Sequence, residues 1–120
     1  MQRPIHFEIH VEDPEASVAF FSDVLGWRSD RWGDMPYWLQ RTGEGPGIDG
    51  AIGSVQEHGQ KVVITMDVDD LDAASERVVA AGGAITLERT AIPGVGWLIY
   101  ATDPNGLSFG LLESDSSATA

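Results

Sequence analysis

The stretch 4–26, PIHFEIHVEDPEASVAFFSDVLG, decides the fold because it joins a strand pattern directly to a helix pattern. From Phe7 to Val11 the odd-numbered residues are apolar and the even-numbered ones are polar, which is the period of a half-buried strand. Asp13 is then a suitable helix N-cap, Pro14 suits the first helical position and Gly26 suits the end. The stretch therefore predicts a strand followed by a helix over 14–25.

A second stretch, 61–83, KVVITMDVDDLDAASERVVAAGG, repeats this pattern 57 positions further along the chain. Shorter strand-like runs follow both copies, near 27–32, 37–42 and 48–55 after the first and near 85, 97–101 and 107–112 after the second. The same order of elements and terminators indicates an internal duplication. Identical residue types fall on equivalent positions at Val11 and Val68, Asp13 and Asp70, Ala16 and Ala73, Gly26 and Gly83, Pro36 and Pro93, Trp38 and Trp97, and Leu39 and Leu98.

This organisation predicts an α+β fold in a single domain, 1–120. Its two βαβββ modules, 1–56 and 57–113, would form a curved sheet around a shared cavity. The polar residues of each first strand would line that cavity. Residues 114–120 have little to bury and are predicted to form a disordered tail.

The chain is strongly acidic, and this property narrows the range of partners. Nineteen Asp and Glu against seven Lys and Arg give a net charge of −12, which repels nucleic acid and anionic membranes. No apolar run reaches the ~20 residues that span a bilayer, and the start MQRPIHF lacks the apolar core of a signal peptide. We therefore expect no nucleic-acid or membrane partner, and a cytoplasmic location by default.

Three segments carry a family resemblance: 4–27, 62–83 and 92–113, the last reading IPGVGWLIYATDPNGLSFGLLE. Together they resemble the vicinal oxygen chelate superfamily, which includes glyoxalases, bleomycin-resistance proteins and extradiol dioxygenases. The HFEI start and the IPGVGW and DPNG motifs are most similar to actinobacterial glyoxalase-like proteins. The resemblance implies the duplicated fold, a small-molecule ligand and a homodimer, but it does not choose between enzyme and drug binder.

The resemblance also defines where a metal would bind. Members like glyoxalase I take ligands from the first and last strands of each module. His6 matches the first of these positions, whereas Val63 and Gly110 occupy two others and Asp49 is the only candidate on the remaining strand. The resemblance therefore implies that the glyoxalase metal site is absent. A divalent metal held by a different set that includes His6 stays an alternative.

The polar side of the first strand contains the candidate catalytic residues His6, Glu8 and His10. Residues four apart on a strand are ~13.5 Å apart, so one ion with bonds near ~2 Å cannot be shared by both histidines. Burial and neighbouring charges could instead prepare Glu8 as a general base, with His6 or His10 as an acid or orienting group. Alternatively, the same groups could hydrogen-bond a ligand without catalysing a reaction, or they could simply line a water-filled groove. His58, in the linker, is predicted to be a solvated loop residue.

Substrate contacts are predicted from the second module and from the aromatic residues. Matched tryptophans most often mean equivalent core packing, although a ring facing the cavity would stack on an aromatic ligand. Three functions remain open: a glyoxalase-like lyase or isomerase that works next to a carbonyl, a protein that sequesters an aromatic drug or metabolite, and a divalent-metal enzyme. The candidate binding residues are Thr65, Asp67, Trp38, Trp97 and Tyr100.

Overall fold

The computed structural model describes residues 2–119, which form eight strands and two helices in the predicted order. No helix within these residues is both long and apolar enough to cross a membrane. The elements are β1 (Pro4–Val11), α1 (Pro14–Leu25), β2 (Arg28–Arg31), β3 (Tyr37–Arg41), β4 (Asp49–Ser54), β5 (Val62–Asp67), α2 (Leu71–Ala80), β6 (Ala84–Ile92), β7 (Gly96–Thr102) and β8 (Ser108–Ser114).

Both helices begin at the aspartates that the sequence predicts as caps. The Asp13 carboxylate accepts a hydrogen bond from the Ala16 N–H across 3.2 Å, and Asp70 caps α2 in the same way. At the end of α1, Gly26 adopts a φ of 73°, in the left-handed region that favours glycine, and donates its N–H to the Ser22 carbonyl. Local side-chain chemistry thus sets these boundaries.

The first compact unit comprises residues 5–63 and is called the N-terminal unit. Its strands are ordered β2-β3-β4-β1, with β1 and β4 parallel and the other pairs antiparallel. The Trp27 ring stacks on Phe21 of α1 at 4.9 Å between centroids and lies 5.5 Å from Phe7 of β1. The helix therefore covers the apolar side of the first strand, which leaves the polar residues of β1 on the opposite side.

The second compact unit, called the C-terminal unit, comprises residues 2–4 and 64–119. Its strands are ordered β5-β8-β7-β6, with β5 and β8 parallel, so it repeats the βαβββ arrangement of the N-terminal unit. This repetition agrees with the predicted duplication. A core lies between α2 and the sheet and contains the buried residues Val68, Leu71, Ile99, Ala101 and Leu111.

The chain passes from the N-terminal unit to the C-terminal unit between Val63 and Ile64, whereas the predicted module boundary is between 56 and 57. The first residues of the chain also group with the C-terminal unit. Arg3 explains this, because its carbonyl accepts from the Asp67 N–H at 3.0 Å and its own N–H donates to the Asp67 carboxylate at 2.7 Å. Such long-range pairing is not visible in local sequence patterns.

The end of the chain corrects the prediction of a disordered tail over 114–120. Ser114 completes β8, and Ala118 is only 2% exposed, with its carbonyl accepting from the Gly94 N–H at 3.0 Å. The Asp115 carboxylate accepts from the Trp97 indole N–H at 3.1 Å and from Ser117. The polar composition concealed these contacts. Ala120 lies outside the described residues.

Candidate functional site

The polar side of β1 brings the predicted catalytic residues to one face of the N-terminal unit. Glu8 and His10 are each only 6% exposed, and His6 is half-buried. Their backbone partners on β4 are, in turn, Asp49 for His6, Ala51 for Glu8 and Gly53 for His10. Two of these neighbours are small, so the face above Glu8 and His10 is left open to side chains from β3.

Tyr37 of β3 uses that space. Its hydroxyl donates a hydrogen bond to Oε2 of Glu8 across 3.3 Å, reaching over β4 to β1. Gly53 of β4 is the backbone partner of Tyr37, and a Cβ at this position would approach the Tyr37 ring to 3.1 Å. Burial, and then the negative charge of Glu8, raise the pKa of Tyr37 well above its ordinary value near 10. Tyr37 therefore stays protonated and acts as a donor to the Glu8 carboxylate at neutral pH.

His6 is held in its neutral form. Burial lowers the pKa of its imidazole below 6.5, and the nearby charges of Glu8 and Asp49 only partly oppose this effect. The Asp49 carboxylate is itself held in place, because it accepts a hydrogen bond from the Thr42 N–H at 2.9 Å. The face thus presents an imidazole with a lowered pKa beside the buried side chain of Glu8.

Replacing His6 with glutamine should reduce the loss of stability on mild acidification. The folded pKa of His6 is lowered, so below pH ~6.5 the unfolded chain takes up this proton first and the free energy of unfolding falls. Urea unfolding at pH 7.5 and 5.5 should show a smaller drop for His6→Gln than for the wild type. An equal drop in both proteins would contradict the assigned environment of His6.

His10 is oriented by a different contact. Its Nδ1 lies 3.1 Å from the Ser54 carbonyl, which can only accept, so Nδ1 carries the proton in the neutral ring. The His58 ring packs edge-on against His10, with 5.6 Å between centroids, and its Nδ1 accepts from the Gln60 N–H at 2.9 Å. His58 is exposed, as predicted for a loop residue, but it also contacts the candidate site.

The predicted residues of the second module lie in the C-terminal unit. Thr65 of β5 and Tyr100 of β7 are both backbone partners of Gly110 on β8, so the three residues form a row across the sheet. Asp67 lies on the same side of β5 as Thr65 and also binds the Arg3 N–H. Contacts of these residues with a substrate stay predictions.

The matched tryptophans lie on the helix side of each sheet. Trp38 shares a groove with α1, and Trp97 packs against the core beneath α2. An arginine covers each ring, with Arg31 at 5.0 Å from the Trp38 centroid and Arg89 at 4.6 Å from the Trp97 centroid. Since neighbours on a strand point to opposite faces, Trp38 is turned away from the face of Tyr37. On this side of the sheet each ring packs within its own unit, and contact of either ring with a substrate stays a prediction.

The residues at the glyoxalase-type metal positions do not fit a metal. Gly110 is the partner of Thr65 on β5, and Ala51 is the partner of Glu8 at the equivalent place on β4. The fourth position is therefore Ala51 instead of Asp49. Ala51 and Val63 are apolar and buried, and a Cβ at Gly110 would lie 2.6 Å from Thr65 Oγ1. Across residues 2–119, no three His, Cys, Asp or Glu side chains are grouped so that they could hold an ion.

Comparison with known proteins defines the class. A family model described as a glyoxalase-like domain matches residues 6–112, and the chain belongs to this family. The lactoylglutathione lyase of Haemophilus influenzae is 31% identical, with 94% of this chain and 93% of the relative covered. That of Salmonella typhimurium is 28% identical, with 93% of each chain covered.

The fold is also that of solved structures in the superfamily. A glyoxalase/bleomycin resistance protein/dioxygenase superfamily member from Vibrio splendidus matches with a TM-score of 0.70 at 21% identity, covering 96% of this chain and all of that one. The predicted superfamily and fold are therefore confirmed.

Proposed function

We propose that this protein is a glyoxalase-like lyase or isomerase that moves a proton next to a carbonyl group, with Glu8 as the base and without the four-ligand glyoxalase metal site. The observation that carries this proposal is the buried Glu8 carboxylate, held by the Tyr37 hydroxyl on the same face as neutral His6. The relatives named lactoylglutathione lyase support the same reaction class.

The chemistry follows from these groups. The Glu8 carboxylate takes a proton from the carbon beside the carbonyl, so a C–H bond breaks, an O–H bond forms on Glu8 and the electron pair moves to the carbonyl oxygen. His6, as a neutral imidazole, donates an N–H hydrogen bond to that oxygen as it becomes negative. Tyr37 fixes Oε2 of Glu8 and so orients the carboxylate. Return of the proton to the same or the adjacent carbon completes exchange or isomerisation.

Deuterium exchange tests this proposal. S-lactoylglutathione has a C–H bond next to its thioester carbonyl, and the wild-type protein in D₂O should incorporate deuterium there faster than buffer alone. Mass spectrometry and proton NMR measure the exchange. The rate should be unchanged after dialysis against EDTA, because the residues at the family's metal positions are not ligands. Exchange no faster than in buffer would overturn the proposal.

A second candidate function is sequestration of an aromatic drug or metabolite. The observation that favours it is the presence of Ala51, Val63 and Gly110 at positions where metal-dependent relatives would have ligands. Quenching of tryptophan fluorescence by a compound that is recovered chemically unchanged would support this function, whereas an altered compound would exclude it.

Two further expectations stay predictions. If a divalent metal is held by a set of ligands that includes His6, elemental analysis of protein purified without chelators should find a stoichiometric ion.

If the chain forms the homodimer that the family resemblance implies, sedimentation equilibrium should give twice the chain mass of 12.9 kDa.

A further inference from the structure

A cavity of about 510 Å³ lies beneath α2 in the C-terminal unit, separate from the face that carries Thr65. Its floor is formed by the half-buried residues Met66 of β5 and Phe109 of β8, with Val68 and Leu111 beside them. Because strand neighbours alternate, Met66 and Phe109 point away from the side of Thr65 and Gly110. The cavity thus has no part in the proton transfer proposed above.

The side chains of α2 explain why this space is not filled. The helix faces the cavity with Ala73, Ala74 and Val78, and Ala81 borders it directly after the helix; the three alanine side chains end at Cβ. Protein interiors contain few voids larger than a water molecule, whereas ligand pockets have volumes of roughly 300–1,000 Å³. The cavity is open to solvent along the exposed residues Arg77, Ala81 and Pro104, and a volume of about 510 Å³ with an apolar floor is in the range of a ligand pocket.

The rim of the cavity sets the charge of its ligand. Among residues 2–119, three carboxylates border it, those of Asp69, Asp70 and Asp103, and one guanidinium, that of Arg77. Asp70 caps α2, and Asp103 accepts from the Leu107 N–H at 2.8 Å, so both carboxylates are fixed in position. The rim is net negative, on a chain whose net charge is −12. It therefore favours a cation and disfavours an anion.

From this geometry we infer that the cavity beneath α2 binds a small aromatic or aliphatic amine, with its apolar part against Met66 and Phe109 and its ammonium group at the aspartate rim. This inference does not depend on the proposed enzymatic function. It assigns a second small-molecule site to the chain, on the opposite side of the C-terminal sheet from Thr65.

Three naphthylmethyl compounds with an ammonium, a hydroxyl or a carboxylate head group test the inference: 1-naphthylmethylamine, 1-naphthalenemethanol and 1-naphthaleneacetate. Titration calorimetry should show the amine binding at least about tenfold more tightly than the carboxylate. The chain has three methionines, so ¹³C-labelled methyl groups give a local report. The Met66 methyl signal, assigned with Met66→Leu, should shift with the amine, while that of exposed Met35 should not.

Ala73→Leu should fill the cavity and weaken amine binding at least about tenfold. The matched control is Ala16→Leu, at the equivalent position of α1, which is exposed and should bind as the wild type does. Ala81→Leu fills the other end of the cavity and replaces Ala73→Leu if that variant does not fold. Equal affinity for all three compounds, an unshifted Met66 signal, or full binding by the filled variants would overturn the inference.

Discussion

Glu8→Gln is expected to slow deuterium incorporation into S-lactoylglutathione by at least about a hundredfold, because general-base catalysis contributes roughly 10²–10⁴ to rates. Glutamine has the size of glutamate, and its side-chain carbonyl can still accept the hydrogen bond from the Tyr37 hydroxyl. It cannot take up the substrate proton at neutral pH. The variant should therefore remain folded, with a wild-type circular dichroism spectrum, and lose only the chemical step.

Glu12→Gln is the matched control for this prediction. Glu12 directly follows β1, is exposed, and its replacement removes the same charge from the same part of the chain. Its exchange rate should equal that of the wild type. If Glu8→Gln exchanged deuterium at the wild-type rate, Glu8 would not be the base. If Glu12→Gln lost as much activity as Glu8→Gln, overall charge and not a specific base would explain the effect.

The elements of the fold were predictable because their signals are local. The alternation from Phe7 to Val11 and the caps at Asp13 and Gly26 need no information from the rest of the chain. The duplication extended these assignments to Asp70 and α2, where the structure shows the same cap. Period and capping are physical constraints on short segments, and so they can be read from a single sequence.

The contacts within the candidate site were less predictable because they depend on register between distant strands. The bond from Tyr37 to Glu8 depends on pairing across β4, where Gly53 is the partner of both Tyr37 and His10. Asp49 was the metal candidate on β4 until the register placed Ala51 opposite Glu8. A shift of one residue in pairing reverses the face of every side chain, and no local pattern determined this pairing.

Composition also misled at the end of the chain. The polar tail suggested disorder, but the carboxylate of Asp115 finds donors in Trp97 and Ser117, and Ala118 is buried. The hydrogen bonds from Ser117 lower the pKa of Asp115 and so favour its charged form. Short polar segments fold onto a domain when their few side chains find specific partners, which composition does not show.

Gly110→Ala is expected to destabilise the protein by about 1–3 kcal/mol, the usual range for overpacking a well-filled interior. A Cβ at this position would lie 2.6 Å from Oγ1 and 3.3 Å from Cγ2 of Thr65. Thr65 is only 3% exposed, and its β-branched side chain has little freedom to rotate away. The strain should appear as a lower midpoint in urea unfolding.

A double-mutant cycle with Thr65→Ala separates this contact from other effects of the substitution. In the Thr65→Ala background, Gly110→Ala should cost less than about 0.5 kcal/mol, because Oγ1, the nearest atom at 2.6 Å, is gone and only the Cβ of residue 65 remains, at 3.3 Å. The same cost in both backgrounds would show that Thr65 does not exclude a side chain at 110. The family resemblance implies a metal ligand at this position, and any such side chain begins with the same Cβ as alanine. Because Thr65 packs against Gly110, Gly110→Glu alone would create strain before it could offer a carboxylate.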